Sequence, residues 1–416
     1  MAVKDFSSGK IYKIINARLL LNHKIVEGHY LWFQDGKIIH PQNLFFDHHR
    51  DADEIIDAQG MLVAPGFIDT QINGAYGIDF ADHEGPVEKL QQDIDTVAKG
   101  LLRYGCTSFC PTVGSAVGGA EILGAHIEGP FISVLKKGAH DQNVFQTAQK
   151  GIAAFDAAYG SELKKGNKAV SIMTLAPELD GVTECIPDLV SRGITVSLGH
   201  SACQIAQAEE AVLKGATSIT HLFNAMQAFH HRDPGLIGVL GAADLPVPSK
   251  AKGHPEPSST SPCRTKPDPR PFFGLICDGV HVHPNSVRIA YYSHPTGAVL
   301  VTDALSAMGL PVGTYQLGGQ HVQVDTDGAA YVKGTKTLAG STLTMDQCVR
   351  NFQKFTNCTV VEALEAATLH PAQLLGIEDR KGTLNVGADA DFVFLDDDLQ
   401  VQRVYVAGEQ VAKQQH

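Results

Sequence analysis

Along residues 1–60 apolar and polar positions alternate in short runs: Ile11-Tyr12-Lys13-Ile14-Ile15-Asn16, His29-Tyr30-Leu31-Trp32-Phe33 and Lys37-Ile38-Ile39. A period of two reads as antiparallel strand, and Asp35-Gly36 between two of the runs reads as a hairpin turn. The same texture returns near the far end, over 387–395 and 401–411. One small β domain built from both ends, residues 1–62 and 378–416, is therefore expected. Between them, over 63–377, the pattern changes. Apolar, β-branched runs alternate with helical stretches, the signature of βα units around a parallel sheet. The runs fall at 66–72, 106–111, 122–128, 170–176, 194–200, 217–221, 272–278 and 298–303. Eight such strands close a barrel. Helices are expected at 86–104, 181–192, 203–215 and 285–294, with more over 344–376 after the eighth strand. The fold class is α/β, a (β/α)8 TIM barrel with a smaller β domain.

Two stretches depart from this plan. Only about ten residues join strand two to strand three, fewer than a parallel crossover normally takes. Residues 112–119 there are glycine-rich and poor in helix formers, so the second barrel helix reads as truncated or absent. Residues 246–271 are dominated by proline, serine and charge and read as a disordered surface insertion. Cys263 and His254 within it read as incidental.

Three residues carry most of the chemical information. Glu128, His200 and His221 each end a short apolar run, where a strand hands over to a loop. Barrel chemistry sits at those carboxyl ends. Alone, either histidine would more often be a structural, hydrogen-bonded residue. Together, one carboxylate and two imidazoles make a site for a single divalent ion, with zinc best suited and iron, cobalt or manganese also able to fill it. Such an ion acidifies a water and polarises a carbonyl. Asp303, at the end of the eighth run, is the natural proton carrier. The slot after the first strand reads Asp69-Thr70-Gln71-Ile72-Asn73, with no imidazole, so one metal per subunit is expected. Arg232, behind His230-His231, and His281 lie on later loops and suit an anion, with backbone N–H groups at Asn224 and Ala225 as further donors. His140 is placed to donate to a developing oxyanion.

The 416 residues are 44% hydrophobic, enough for one large core and a small second domain. A net charge of −12 argues against nucleic acid or an acidic membrane as partner. No apolar run approaches the ~18 residues of a membrane span, and the N-terminus has no signal-peptide core. The eight cysteines are scattered without a paired spacing, so free thiols in a cytoplasmic protein are expected. Cys106 and Cys110 read as buried small hydrophobes.

The linked strings resemble the amidohydrolase superfamily, in its N-acetylglucosamine-6-phosphate deacetylase branch. They are Ala64-Pro65-Gly66-Phe67-Ile68-Asp69-Thr70-Gln71-Ile72-Asn73-Gly74, the 126–132 segment, Gly199-His200-Ser201, Thr220-His221-Leu222-Phe223-Asn224-Ala225-Met226, Arg232-Asp233-Pro234-Gly235, Asp278-Gly279-Val280-His281, Val301-Thr302-Asp303-Ala304 and Leu338-Ala339-Gly340-Ser341. The resemblance runs from about residue 10 to 412 and implies that Glu128, His200 and His221 hold the metal, with Asp303 as acid and base. It implies that Asn224, Ala225, Arg232 and His281 meet a sugar phosphate, with Asp278, Gly279 and Val280 on the same loop. Ala139 and a loop at Leu338, Ala339 and Gly340 would line the sugar and acetyl region, and His140 would polarise the amide carbonyl. It further implies a homodimer, with His231 near the partner, and an end domain that is a small β-sandwich. The family carries a full helix between strands two and three and a short turn where 246–271 stands here. Two other readings remain: a cyclic-amide hydrolase of the same superfamily, and a non-catalytic relative acting as an interaction protein.

Overall fold

The β-branched runs of the middle segment form successive parallel strands: Phe67–Ile72, Cys106–Pro111, a divided third strand, Val170–Leu175, Thr195–Leu198, Ser218–Ile219, Phe272–Leu275 and Ala298–Leu300. The computed structural model describes residues 9–42, 51–80, 86–111, 119–138, 140–164, 166–167, 169–246, 268–317, 320–325, 329–335 and 338–411. The ring closes between the eighth strand and the first, where Asp303 N donates to Gln71 O at 2.9 Å and Asn73 N to Ala304 O at 2.7 Å. Backbone groups that would otherwise stand at a sheet edge are paired there.

The third strand is split. Glu121–Ile122 pairs with strand two and Ala125–Glu128 with strand four. Gly124 between them has φ 101°, a conformation that breaks a continuous strand. The expected single run over 122–128 is thus two pieces. Ahead of them Gly119 packs on the helix of residues 87–101, where an added Cβ would lie 2.9 Å from the Ala98 carbonyl carbon. Residues 112–118, where the crossover helix is expected to be missing, lie outside the described residues.

The covering helices bury one stripe each. Val87–Leu101 turns Ile94, Val97, Ala98 and Leu101 inward, a three-and-four spacing. Met345–Thr356 does the same with Met345, Cys348, Val349, Phe352 and Thr356. Truncating a fully buried ring such as Phe352 to alanine costs about 3–5 kcal/mol in a packed core. Helices Val182–Ser191, Ile205–Leu213 and Pro284–Ser293 stand where the pattern expects them. Ile152–Tyr159 does not announce itself, because four of its eight positions are alanine and it has no polar face to set a period.

Both termini contribute strands to two further sheets. One has the order Lys37–Ile38, Leu31–Gln34, Ile11–Ile15, Glu54–Asp57; the other runs Glu409–Gln410, Val401–Val406, Phe392–Leu395, Leu62–Pro65, Arg18–Leu21, Lys24–Val26. They share a core of Ile14, Leu31, Phe33, Val63, Phe392, Phe394 and Tyr405. Asp35 and Gly36 take φ 48° and 72°, as a two-residue hairpin turn requires. Lys381 ties this region to the barrel: its ammonium lies 2.6 Å from Glu121 and 3.0 Å from Asp389 and also pairs with Asp391.

One element is new. Gly313–Leu317, Gln320–Val324, Ala330–Val332 and Leu338–Gly340 form an antiparallel four-stranded sheet after the eighth barrel strand. Leu338–Gly340, expected as loop, is therefore a strand, its backbone paired to Ala330–Val332. Of the expected insertion, residues 247–267 lie outside the described residues.

Candidate metal and active site

Glu128 closes its strand, while His200 and His221 each follow theirs by two residues. His200 and His221 hold left-handed backbone at φ 47° and 25°, as does Asp303 at 46°. Such conformations cost a non-glycine residue on the order of 1–3 kcal/mol and persist only where neighbours over-determine them. Here the neighbours do. His200 O accepts from Ser133 N at 2.9 Å, and its ring Nδ1 lies 2.8 Å from Lys136 O. A carbonyl only accepts, so Nδ1 carries a proton and Nε2 is the atom turned toward Glu128 and His221.

That Nε2 lies 3.0 Å from Glu128 Oε1 and 3.0 Å from His221 Nε2, and His221 Nε2 lies 3.1 Å from the same carboxylate oxygen. All three side chains are buried, exposed by 5–8%. Three donor atoms so spaced can all lie about 2.0–2.2 Å from one point, the bond length of zinc to nitrogen or carboxylate oxygen. Hydrogen bonding alone accounts poorly for the cluster, since two ring nitrogens cannot both use one proton. A divalent cation fits the donor set and the spacing. Burial pushes the Glu128 carboxyl up, but the ring charges of His200 and His221, with hydrogen bonds from His140 and His200, hold it well below the usual range. Burial lowers His221, and the charge and hydrogen bond of Glu128 outweigh it, raising the ring to about 9.

Beside this triad stands Asp303, partly buried. Burial raises its carboxyl above the usual range; the charge of Glu128 adds to that, while His221 and a 2.8 Å hydrogen bond from Asn73 Nδ2 oppose it. Gln71 Nε2 lies 3.5 Å from both Glu128 oxygens. Both amides come from the first-strand slot that lacks imidazoles, and the sequence pattern assigned neither a role. The absence of His-x-His was the available signal: something else must fill those positions. Below them Asp69 joins the first strand to the eighth, accepting from Thr302 Oγ1 at 2.5 Å and Gln71 N at 3.1 Å. Burial raises Asp69 to about 7. His126 is buried too, bonded to Thr70 O and Thr174 Oγ1 at 2.8 Å each, and burial lowers its ring below the usual histidine value.

Around the mouth, His140 Nε2 lies 3.7 Å from Glu128 Oε2, its ring edge-on to His200. A recess of about 310 Å³ opens beside Glu128 and His140, walled by Pro130, Val144 and Phe145. His281 Nδ1 donates to Asp278 Oδ2 at 2.5 Å, leaving Nε2 for a ligand. The other Asp278 oxygen accepts from Val280 N and His281 N, so this carboxylate is spent on shaping its own loop through Gly279. Asn224 turns its amide back to His221 O at 3.2 Å, and Ala225, at φ 48°, accepts from Ser201 N. Arg232 is exposed with its guanidinium 3.1 Å from His231 Nε2, on a loop held by Asp233, which accepts from Ile205 N and Gly235 N. Ala139 lies outside the described residues. Glu178, also unnamed by the sequence reading, binds the loop just beyond His200.

A family model described as the amidohydrolase family matches residues 62–411. N-acetylglucosamine-6-phosphate deacetylase of Danio rerio is 47% identical, over 98% of this chain and 98% of that protein. Among solved structures, the N-acetylglucosamine-6-phosphate deacetylase of Pasteurella multocida superposes with a TM-score of 0.78 at 26% identity, over 97% of this chain and 100% of its own. A Mycobacterium smegmatis enzyme of the same name, solved in complex with N-acetyl-D-glucosamine-6-phosphate, gives a TM-score of 0.75 at 28% identity, over 97% of this chain and 99% of its own.

Proposed function

The chain belongs to the amidohydrolase family, and we propose that it is a metal-dependent hydrolase that removes the acetyl group from N-acetyl-D-glucosamine 6-phosphate, giving D-glucosamine 6-phosphate and acetate. The observation that carries the reading is the convergence of Glu128, His200 and His221 to within 3.1 Å of one another. Relatives of the same name cover nearly the whole chain.

Glu128, His200 and His221 hold one divalent ion per subunit, and zinc suits an acid with two imidazoles best. A bound ion of this kind supplies Lewis-acid polarisation and a water of lowered pKa. The remaining work falls to side chains. Asp303, its carboxyl raised above the usual range by burial, takes a proton from the attacking water and returns it to the leaving nitrogen. His140 donates to the oxygen of the acetyl carbonyl as charge develops there. His281, Arg232 and the backbone of Asn224 and Ala225 receive the sugar phosphate, and Leu338, Ala339 and Gly340, with Ala139, border the sugar. The Asp278-Gly279-Val280 turn presents His281.

The barrel unit spans 63–377. Residues 1–62 and 378–416 make the small β-sandwich. The working form is a cytoplasmic homodimer with His231 near the partner subunit.

Acetate release from the phosphorylated sugar, measured with and without a chelator, tests the activity. Chelator-sensitive release on N-acetylglucosamine 6-phosphate is expected. Activity confined to cyclic amides, or an inert protein loaded with stoichiometric zinc, overturns the proposal.

A further inference from the structure

We propose that Glu178 is a positioning residue: it holds His200 in ligating geometry and couples that ligand to the loop of residues 222–226. The proposal rests on the metal-site reading above.

Of the four barrel strands from the third to the sixth, the fourth alone supplies no ligand. Its chain continues from Val170–Leu175 through Ala176-Pro177 to Glu178. From there the carboxylate reaches over the next loop. Glu178 Oε2 accepts from Ser201 Oγ at 2.7 Å, and Oε1 accepts from Ala202 N at 2.6 Å. Both bonds are charge-assisted, and two of them from one planar group fix the orientation of what they hold. What they hold is the pair of residues directly after His200. A left-handed residue such as His200, at φ 47°, reverts unless its flanks are pinned. On one flank Ser133 N and Lys136 O bind His200 itself; on the other the work is done by Glu178.

The chain of bonds does not stop there. Ser201 N donates to Ala225 O at 3.1 Å, and Ser201 forms a parallel bridge with Met226. Ser201 is thus held by strand four's carboxylate through its hydroxyl and by strand six's loop through its backbone. Moving Glu178 moves both the ligand and the residues proposed to meet the sugar phosphate. Partners outside the ligand set that orient a ligand typically govern metal affinity by 10–100-fold when removed.

The test compares the wild type with Glu178→Ala, Glu178→Gln and Ser201→Ala. Each is stripped of metal, and its zinc dissociation constant is measured by competition with a chromogenic chelator. Thermal midpoints of the stripped and zinc-loaded forms are recorded beside KM and kcat. Glu178→Ala is expected to weaken zinc about 10–100-fold and to shrink the gap between loaded and stripped midpoints. KM should rise as well, because Ser201, which tethers Ala225, loses its own anchor. Glu178→Gln, with one acceptor oxygen for two donors, should fall between. Ser201→Ala removes only the hydroxyl bond, so it keeps the test open if Glu178→Ala does not fold. Zinc affinities within about twofold of wild type in the folded variants would overturn the role, as would a loss of stability equal in the stripped and loaded forms. A wild type that binds no divalent ion would instead overturn the metal-site reading itself.

Discussion

Left-handed backbone at His200, His221 and Asp303 places three short side chains at one mouth, and the division of labour among them follows from their neighbours. Asp303 is the one whose carboxyl burial raises, the condition for a group that must gain and lose a proton. Asp303→Asn keeps the shape and removes that capacity. Zinc stoichiometry should stay at the wild-type value while kcat falls about 10²–10⁴-fold, the usual worth of general acid–base catalysis. Turnover near normal would remove Asp303 from the reaction. Asn73 sharpens the point, since its 2.8 Å hydrogen bond stabilises the ionised form of Asp303. Asn73→Ala withdraws it, so the Asp303 carboxyl should rise further. The acid limb of kcat/KM, which reports ionisation of this base, should then move to higher pH; an unmoved or lowered limb would contradict the pairing. Glu128, His200, His221 and Asp303 were legible in the sequence because each ends an apolar run. Gln71, Asn73 and Glu178 were not. Neutral amides carry no ligand signature, and a glutamate whose partners are a hydroxyl and a backbone N–H declares itself only once two loops are brought together.

At the scale of elements, the barrel was visible because its strands are buried on both faces and so read as mostly apolar runs rich in β-branched residues, such as Val170–Leu175. The antiparallel sheet over 313–340 was not. Its strands mix apolar with polar positions, as in Gln320–Val324, and among the described residues its core is Ala307, Val322, Val324 and Ala330 with Leu305 and Tyr315 packed against them. Too few buried residues stand there to impose a clear alternation. The point at which the chain re-enters the barrel also bears on function. Residues 268–270 lead into the amino end of Phe272–Leu275, the face of the barrel opposite the metal ligands. Arg270 anchors the return by donating to Leu240 O at 3.1 Å, Ser293 O at 2.7 Å and the buried Asp268 carboxylate. Replacing 247–267 by a short glycine-serine linker, with Asp268 and Arg270 kept, should therefore leave kcat/KM within about twofold, since loop changes remote from a site are tolerated. A fall beyond about tenfold would mean that the segment reaches the catalytic mouth.

For the molecule as a whole, the catalytic end of the barrel is built from charges and strained backbone, and the opposite end has to supply stability. His370 lies there, buried against Phe272, its Nδ1 donating to Ala298 O at 2.7 Å where the eighth strand begins. Burial lowers this ring from 6.5 to about 4, and the hydrogen bond to Ala298 only partly opposes that. Between those two values the unfolded chain binds a proton that the folded chain refuses. Stability therefore rises with pH across the window and is lost as pH falls through it. With a folded value of about 4, the loss between pH 7.5 and pH 5 is about 2 kcal/mol from this one group. His370→Gln retains an N–H donor for Ala298 O but cannot take up a proton. The variant is expected to be less stable than the wild type at pH 7.5, because its shape differs from the imidazole that Phe272 packs on. Its unfolding free energy should nevertheless drop less on acidification, by that same ~2 kcal/mol. Urea unfolding at pH 7.5 and pH 5, with equal zinc throughout, isolates the effect. Loss of metal on acidification is common to both proteins and cancels in the difference between them. Parallel losses in the two would show that the ring takes up its proton as readily in the fold as in the unfolded chain, and that the acid sensitivity of this protein arises at the Glu128, His200 and His221 end instead.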